Sequence, residues 1–298
     1  MEFNEPKAVG VLGIGLLGAP IAQRILTGGY QVLGYDIDEL RRVAARKAGV
    51  PIAESVREVG ETCDLVLSVL PSAEALQVVC SELAVPGSGA RARCLVDVST
   101  LALDVKSAVA AALGHVGIAM LDCPVLGTSA QAYAGELVMC CSGPQHFIQR
   151  CDAVFSTFAA RREDMGAFGN GTKIKLVSNM LVGIHNVAAA EALIFAKRAG
   201  IEPATALRVL IGSAGGSRQM ELRGGMMVKE VFEPAAATTK VFIKDMGLIS
   251  DLARSVGCPV LMHATASGLF AAAMAMGCED SDLSSVHSVV ATLAGDKS

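Results

Sequence analysis

The sequence predicts an α/β fold whose first half contains a doubly wound parallel sheet and whose second half is helical. Two observations support the sheet: short apolar runs recur through the first half, and segments of helical pattern separate them. A continuous apolar run indicates a strand that is buried on both faces, as in a parallel sheet covered by helices. The predicted strands are 8–14, 31–35, 64–70, 94–99, 119–125 and 137–143.

A third observation is the change of pattern near residue 171, where long runs of Ala, Leu, Met and Val at helical spacing replace the strands. The predicted helices are 172–199, 203–212, 239–256, 260–276 and 282–293. A glycine ends or follows four of them, as is typical of helix ends: Gly200, Gly212, Gly257 and Gly277. We therefore expect a sheet domain over 1–168 and an all-helical domain over 169–298, joined by the long first helix.

Composition excludes several classes of protein. Of the 298 residues, 52% are hydrophobic and 18% are charged, which excludes a disordered chain. The formal net charge of −4 and the absence of tryptophan argue against a nucleic-acid partner or binding to an anionic membrane. The run 260–278 is interrupted by His263, Thr265 and Ser267, which is typical of a buried helix rather than a membrane span. Because the chain starts with an acidic rather than a basic segment, we expect a cytoplasmic protein.

The cysteines and histidines predict no metal site. The nine cysteines contain no C-x-x-C pair, and the five histidines lack metal-ligand spacing with cysteines or carboxylates. Most of the cysteines have apolar neighbours, so we expect reduced, buried thiols.

A glycine-rich turn after the first predicted strand indicates a dinucleotide site. Three glycines with the spacing G-x-G-x-x-G lie between a strand and a helix, the arrangement that brings a pyrophosphate to the helix N-terminus. A lone motif of this kind is weak, but here the strand, turn, helix and next strand follow in the required order. The expected cofactor contacts are the residues of this turn: Gly13, Ile14, Gly15, Leu16, Leu17 and Gly18.

An acidic residue ends the second predicted strand and bears on the choice of cofactor. Asp36 lies 18 residues after Gly18, close to the separation expected for an acid that binds the ribose 2′-hydroxyl. A carboxylate at this position repels a 2′-phosphate, so NAD is predicted in preference to NADP. Arg41 and Arg42 follow closely and leave NADP as the second candidate.

A second candidate motif, GAFGNGTKIKLVSN, lies at the junction of the two predicted domains, at residues 166–179. Gly171, Lys175 and Asn179 are four residues apart and therefore lie on one face of the long helix. The same pattern also fits a solvated helix edge, and spacing does not rank Lys175 against Lys173 as the functional lysine.

With these motifs the chain resembles the β-hydroxyacid dehydrogenase family, which includes 3-hydroxyisobutyrate dehydrogenase, tartronate semialdehyde reductase and threonate dehydrogenase. The resemblance covers nearly the whole chain and depends on four motifs in the family's order. They are the segment 13–36, DCPVLGTSAQAYAGEL at 122–137, GNGTKIKLVSN at 169–179 and FIKDMGLISD at 242–251. The resemblance implies a Rossmann-type NAD-binding domain followed by a helical domain.

The resemblance also implies roles for individual residues. Lys175 falls on the family's catalytic lysine, and Asn179 falls on an amide that contacts the substrate. Lys244 matches a lysine that the family places at the cofactor. Further implied neighbours of the dinucleotide follow two of the predicted strands, and the last of them is also an implied substrate contact: Leu70, Pro71 and Thr100.

One loop departs from the family's pattern. The family usually has Ser-Gly-Gly where this chain has Leu126, Gly127 and Thr128. The usual loop holds the substrate carboxylate with a hydroxyl and backbone N–H groups, and Leu126 removes that hydroxyl. Thr128 can restore a hydroxyl two positions later, so we expect all three residues to contact the substrate.

The resemblance implies hydride transfer between the nicotinamide of NAD and the hydroxyl-bearing carbon of a small β-hydroxy acid, or reduction of the matching semialdehyde. Lys175 would act as general acid and base, which requires a pKa below the ordinary lysine value of about 10.4. The alternative is a non-catalytic NAD-binding scaffold or sensor. Because the carboxyl-terminal helices are rich in Ala and Met, we also expect a homodimer or homotetramer.

Overall fold

The computed structural model of the protein describes residues 5–83 and 90–296. The chain divides into two compact units, Met1–Lys175 and Leu176–Ser298. The division falls inside one continuous helix, Asn170–Arg198.

The first unit contains a five-stranded parallel sheet with the strand order β2-β1-β3-β4-β5, which confirms the predicted fold class. The strands are β1 (Ala8–Leu12), β2 (Gln31–Tyr35), β3 (Leu65–Ser68), β4 (Cys94–Asp97) and β5 (Ala119–Asp122). The helices that connect them are α1 (Gly18–Thr27), α2 (Glu39–Lys47), α3 (Val56–Thr62), α4 (Ala73–Leu83) and α5 (Leu103–His115). The chain leaves β1 towards β2 and then returns to β3 on the other side, so the strand order reverses next to β1. Ligands of open α/β sheets bind at such a reversal, beyond the carboxyl ends of the strands.

Helices cover this sheet on both faces, which explains why its strands are mostly apolar. Along β3, Leu65 and Leu67 belong to one apolar core and Val66 belongs to the other. Successive side chains of a strand point to opposite faces, so a doubly covered strand is apolar along most of its length; the polar exceptions lie at the carboxyl ends of β3, β4 and β5, at Ser68, Asp97 and Asp122.

A second, three-stranded sheet corrects part of the sequence prediction. It consists of β6 (Val125–Leu126), β7 (Leu137–Cys141) and β8 (Ala159–Asp164), and β6 pairs with β7 in antiparallel orientation. The prediction that the run 137–143 joins the parallel sheet is therefore wrong, and the run 119–125 is divided between β5 and β6. Strand β8 is missing from the predicted strands because its sequence, AARRED, is mostly polar and exposed. The helices that connect these strands are α6 (Ser129–Ala134) and α7 (Gln145–Phe155).

The second unit is helical, as predicted. Its helices are the continuation of α8 (Asn170–Arg198), then α9 (Pro203–Ile211), α10 (Arg218–Lys229), α11 (Thr239–Ser255), α12 (Leu261–Ala275) and α13 (Val286–Leu293). Helix α10 is missing from the predicted helices because it contains the pair Gly224 and Gly225, which lowers helix propensity. A side chain at Gly224 would meet Leu207, so the glycine lets α10 approach α9 closely.

Helix α8 is long and apolar enough to cross a membrane by length and composition, but half of its most apolar stretch is buried in the protein. Core helices of globular proteins share this property. The run 260–278 forms the 15-residue helix α12, which at 1.5 Å per residue spans only about 22 Å. This is shorter than the hydrocarbon core of a bilayer, which is about 30 Å thick.

Candidate cofactor and substrate site

The glycine turn lies directly after β1, where the strand order reverses. Gly13 has a φ of +88°, and a side chain there would collide with the backbone oxygen of Val69. A side chain at Gly18 would collide with the backbone oxygen of Gly13, so the first turn of α1 can pack onto the glycine turn only because residue 18 is a glycine. Helix α1 begins after Leu17, whose apolar side chain cannot cap the helix N–H groups. These N–H groups and the helix dipole favour an anion at this end of α1.

Asp36 is brought to the glycine turn by β2. Its carboxylate is buried and accepts hydrogen bonds from the backbone N–H groups of Ile14 and Asp38, both at 3.0 Å. One guanidinium nitrogen of Arg41 lies 3.4 Å from the carboxylate, on a side chain that is half exposed. Arg42 donates to the backbone oxygen of Asp36 at 2.6 Å. The position predicted for ribose recognition is therefore an anchored carboxylate with one cation beside it.

A cavity of 240 Å³ connects these residues with the end of β3. Its wall includes four residues that the sequence assigns to the cofactor: Gly13, Asp36, Leu70 and Pro71. Sequence reasoning missed Ile37 and Val78, which also line the cavity. An exposed isoleucine directly after Asp36 could have drawn attention, but Val78 is recognisable only from the fold.

The segments after β3 and β4 are joined by one hydrogen bond. The backbone N–H of Leu70 donates to Oγ of Ser99 at 2.8 Å. Thr100 follows Ser99 directly and is partly buried. The structure thus holds Leu70 and Thr100, both predicted near the dinucleotide, at the same edge of the sheet.

The loop after β6 has a conformation that its residues explain. Gly127 has a φ of +139°, in the region that favours glycine. Thr128 caps helix α6: its Oγ accepts from the N–H of Gln131, and its own N–H donates to Oε1 of Gln131 at 3.0 Å. Leu126, predicted to replace the family's hydroxyl, ends β6 and is partly buried. The hydroxyl of Thr128 is therefore engaged in a capping box.

The structure distinguishes the two lysines that spacing could not rank. The ammonium group of Lys175 donates to the backbone oxygen of Val125 at 2.9 Å and is partly buried. It therefore lies next to the loop 126–128. Lys173 is exposed and donates to Asn170 within its own helix at 3.1 Å.

In the helical unit, two of the sequence motifs meet. Asn179, which is 8% exposed, donates from Nδ2 to Oδ2 of Asp245 at 2.8 Å, and Asp245 is 7% exposed. Lys244 lies 3.6 Å from the other carboxylate oxygen of Asp245. Sequence reasoning missed Asp245, although it follows Lys244 directly in the motif FIKDMGLISD. This carboxylate fixes the amide of Asn179 so that its oxygen points away from Asp245.

Comparisons with known proteins identify the family. Residues 8–169 match the family model described as the NAD binding domain of 6-phosphogluconate dehydrogenase. Residues 169–290 match the model described as NAD-binding of NADP-dependent 3-hydroxyisobutyrate dehydrogenase. L-Threonate dehydrogenase of Cupriavidus necator is 32% identical over 287 residues, which cover 94% of this chain and 95% of that protein. The chain belongs to the β-hydroxyacid dehydrogenase family.

Solved structures of this dehydrogenase family have the same fold. A 3-hydroxyisobutyrate dehydrogenase from Salmonella typhimurium has a TM-score of 0.84 at 28% identity, covering 95% of this chain and 99% of that one. The 3-hydroxyisobutyrate dehydrogenase of Mycobacterium tuberculosis has a TM-score of 0.85 at 25% identity, with coverage of 96% and 99%. The resemblance predicted from the four motifs is therefore confirmed. The chain is an oxidoreductase that acts on CH–OH groups and carries an NAD(P)-binding domain, and the scaffold alternative is not favoured.

Most of the thiols and two of the five histidines of this dehydrogenase are buried. Seven of the nine cysteines are buried, and burial raises the pKa of the Cys63 thiol to about 12. Within residues 5–83 and 90–296, His, Cys, Asp and Glu side chains form no group of three that could hold a metal ion. His263 and His287 are buried, and burial lowers the pKa of both imidazoles.

Proposed function

We propose that this enzyme transfers hydride between NAD and the hydroxyl-bearing carbon of a small β-hydroxy acid, or reduces the matching semialdehyde. The contact between the Lys175 ammonium and the Val125 oxygen, 2.9 Å, carries the proposal because it puts a proton-transferring group beside the loop 126–128. That loop falls on the segment in which the family holds the substrate carboxylate.

The glycine turn and the cavity beside it fit a dinucleotide. Gly13 and Gly18 let the turn and the start of α1 pack closely against the backbone, and the uncapped N–H groups of α1 favour a pyrophosphate. We propose that the cofactor is held by this turn, by Asp36, and by four residues that follow strands or lie on α11: Leu70, Pro71, Thr100 and Lys244. When bound, the nicotinamide supplies the hydride acceptor, and the protein supplies orientation and proton transfer.

NAD is the preferred cofactor in this proposal. The anchored carboxylate of Asp36 accepts from the ribose hydroxyls of NAD and repels the 2′-phosphate of NADP. Arg41, at 3.4 Å from that carboxylate, offsets part of the repulsion. We therefore expect measurable but weaker use of NADP.

Lys175 is the general acid and base of the proposed reaction. It takes the hydroxyl proton when the acid is oxidised and returns it when the semialdehyde is reduced. Asn179 lies one helical turn after Lys175 in α8. We propose that Asn179 contacts the substrate and that Asp245, which accepts from its Nδ2, fixes the orientation of its amide.

The loop Leu126, Gly127 and Thr128 binds the substrate carboxylate in this proposal. The N–H of Thr128 already donates to Gln131, and its hydroxyl caps α6. The N–H of Gly127 is then the leading carboxylate donor of the loop, and Leu126 adds apolar contact.

Two lysines two residues apart, Lys173 and Lys175, make a matched test. NADH formation at 340 nm is first measured with a panel of L-threonate, glycerate, 3-hydroxyisobutyrate, 4-hydroxybutyrate and serine, each with NAD and with NADP. With the acid that reacts, Lys175→Ala lowers kcat by about 10²- to 10⁴-fold and leaves NADH binding unchanged. Lys173→Ala, which alters only an exposed contact in the same helix, leaves kcat unchanged. Full turnover by Lys175→Ala refutes the proposal.

We further propose a cytoplasmic homodimer or homotetramer assembled through the helical unit. Large apolar side chains are exposed on several of its helices, including Phe195 at 75% and Leu261 at 78%. Exposed apolar area of this kind is typical of subunit interfaces. Light scattering of the purified protein tests the oligomer, and a monomer at micromolar concentration refutes it.

A further inference from the structure

A completely buried ammonium group lies at the carboxyl edge of the parallel sheet. Lys106, on α5, is 0% exposed. It donates to the backbone oxygen of Ser99 at 2.6 Å, to Oδ1 of Asp122 at 2.7 Å and to Oγ of Thr172 at 2.9 Å. It also lies 2.9 Å from Oδ2 of Asp97. One side chain therefore joins the ends of β4 and β5 to the first turn of α8.

On one side, this cluster reaches the proposed cofactor loops. Oδ1 of Asp97 accepts from the hydroxyls of Ser68 at 2.8 Å and of Ser99 at 2.7 Å. The Ser99 hydroxyl in turn accepts from the N–H of Leu70. The segments that contain Leu70 and Thr100 are thus held by Asp97, and Asp97 is held by Lys106.

On the other side, the cluster fixes the start of α8. Oδ2 of Asp122 accepts from the N–H of Thr172 at 2.8 Å, and Oδ1 accepts from the Thr172 hydroxyl at 2.6 Å. Ser142 donates to Asp122 at 3.1 Å and accepts from the N–H of Gly171 at 3.0 Å. Lys175 follows Thr172 by three residues, so this turn determines where its side chain starts.

The charges of the cluster are nearly balanced. Burial lowers the pKa of the Lys106 ammonium, but Asp97 and Asp122 outweigh this effect and the pKa is raised. Lys106 is therefore charged at neutral pH, and the formal charges of Lys106, Asp97 and Asp122 add up to −1. The N–H groups at the start of α8 stabilise the additional negative charge at Asp122.

A buried cluster of this kind is not expected to contribute much to the stability of the fold. A buried ion pair costs much desolvation energy, and well-packed apolar residues often replace one without loss of stability. Its position at the ligand-binding edge of the sheet, between two groups of site residues, indicates a role in the reaction instead.

We propose that Lys106 is a positioning residue: its ammonium group fixes the first turn of α8, and so the base Lys175, relative to the cofactor segments at Leu70 and Thr100. The proposal rests on the proposed function, because it concerns the placement of Lys175. Lys106 itself touches neither substrate nor cofactor.

A double variant removes the connection that Lys106 makes between the first turn of α8 and the cofactor segments, and it preserves the formal charge of the cluster. Lys106→Met with Asp97→Asn keeps the net charge of the cluster at −1. The side-chain oxygen of the new asparagine can still accept from Ser68 and Ser99, so the Leu70 segment keeps its support. We expect the NADH dissociation constant, from NADH fluorescence, to change less than about 3-fold while kcat falls about 10- to 100-fold, since small misplacements of reacting groups are this costly. Arg91→Met is the matched control, because it removes an ion pair with Asp64 of 2.6 Å at the amino edge of the same sheet, and kcat stays unchanged.

A second pair of variants tests the same link with smaller changes. Thr172→Val removes the hydroxyl that joins Lys106 to Asp122, and Thr172→Ser retains it. We expect kcat of the serine variant to lie within about 2-fold of the wild type and kcat of the valine variant to fall about 10-fold, with equal NADH affinity.

The results separate this inference from the proposed function. If Lys175→Ala abolishes turnover but the folded double variant keeps its kcat, the positioning role is refuted and the proposed function stands. If kcat and NADH affinity fall together, the cluster only supports the sheet and the inference is also refuted. If melting curves show that the double variant does not fold, the Thr172 pair decides, and equal kcat values for valine and serine refute the role.

Discussion

Substitution of Asp245 tests whether this carboxylate acts through Asn179. The hydrogen bond between them, 2.8 Å long, joins two buried residues. Asp245→Leu leaves the Nδ2 group of Asn179 buried without that acceptor, which costs about 1–3 kcal/mol. If this cost adds to the activation free energy, kcat/KM falls about 5- to 150-fold, since 1.36 kcal/mol corresponds to one factor of ten. Asp245→Asn keeps an acceptor of the same shape, so we expect a smaller loss.

The assay is kcat/KM with the acid found in the substrate panel, together with thermal unfolding of each variant. Asp251→Asn is the control on the same helix, because Asp251 is exposed and pairs with Arg254 at the surface. In a double-mutant cycle, the loss caused by Asn179→Ala together with Asp245→Leu is smaller than the sum of the two single losses, because both substitutions remove the hydrogen bond between these residues. Additive losses, or an unchanged kcat/KM in a folded Asp245→Leu enzyme, refute the reasoning.

Three further predictions concern cofactor choice, stability and pH. Asp36→Asn lowers the ratio of kcat/KM for NAD to that for NADP by about 10-fold, because the charge that repels a 2′-phosphate is removed; an unchanged ratio contradicts the assigned role of Asp36. Phe270→Ala, at a fully buried position of the helical core, destabilises the protein by about 3–5 kcal/mol in urea denaturation, and a loss below about 1 kcal/mol contradicts the packing described. Burial lowers the pKa of His287 in the folded state, so the unfolded chain binds more protons below its ordinary pKa of about 6.5. The contribution of His287 to the free energy of unfolding is therefore complete above that pH and is lost as the pH falls. His287→Gln reduces this pH dependence in urea titrations between pH 5 and 8.

The sequence is sufficient to predict the parallel sheet because burial on both faces makes most positions of each strand apolar. The glycine turn and Asp36 can also be predicted from the sequence, since their spacing reflects local geometry between β1 and β2. Strand β8 was missed because most of its side chains are exposed, which leaves no hydrophobic pattern to detect. Helix α10 was missed because packing of Gly224 against α9 offsets a poor helix propensity.

The rest of the candidate site depends on contacts between distant segments. Lys173 and Lys175 have the same chemistry and nearly the same position along the chain, and only the approach of Val125 to Lys175 distinguishes them. Asp245 is recognisable as a partner only once α11 lies against Asn179. A buried lysine such as Lys106 has no sequence signature, because its two acidic partners, Asp97 and Asp122, lie on the strands β4 and β5 and not on its own helix.

Helix α8 runs without interruption from the turn held by Asp122 to the residue held by Asp245, and this constrains how the gene can change. A single-residue insertion between Thr172 and Lys175 would rotate everything after it by about 100° around the helix axis and shift it by about 1.5 Å. Lys175 would then leave Val125, even though no side chain of the site had been altered. Insertions and deletions are therefore expected to accumulate in the connecting loops of this chain and to be excluded from the first turns of α8.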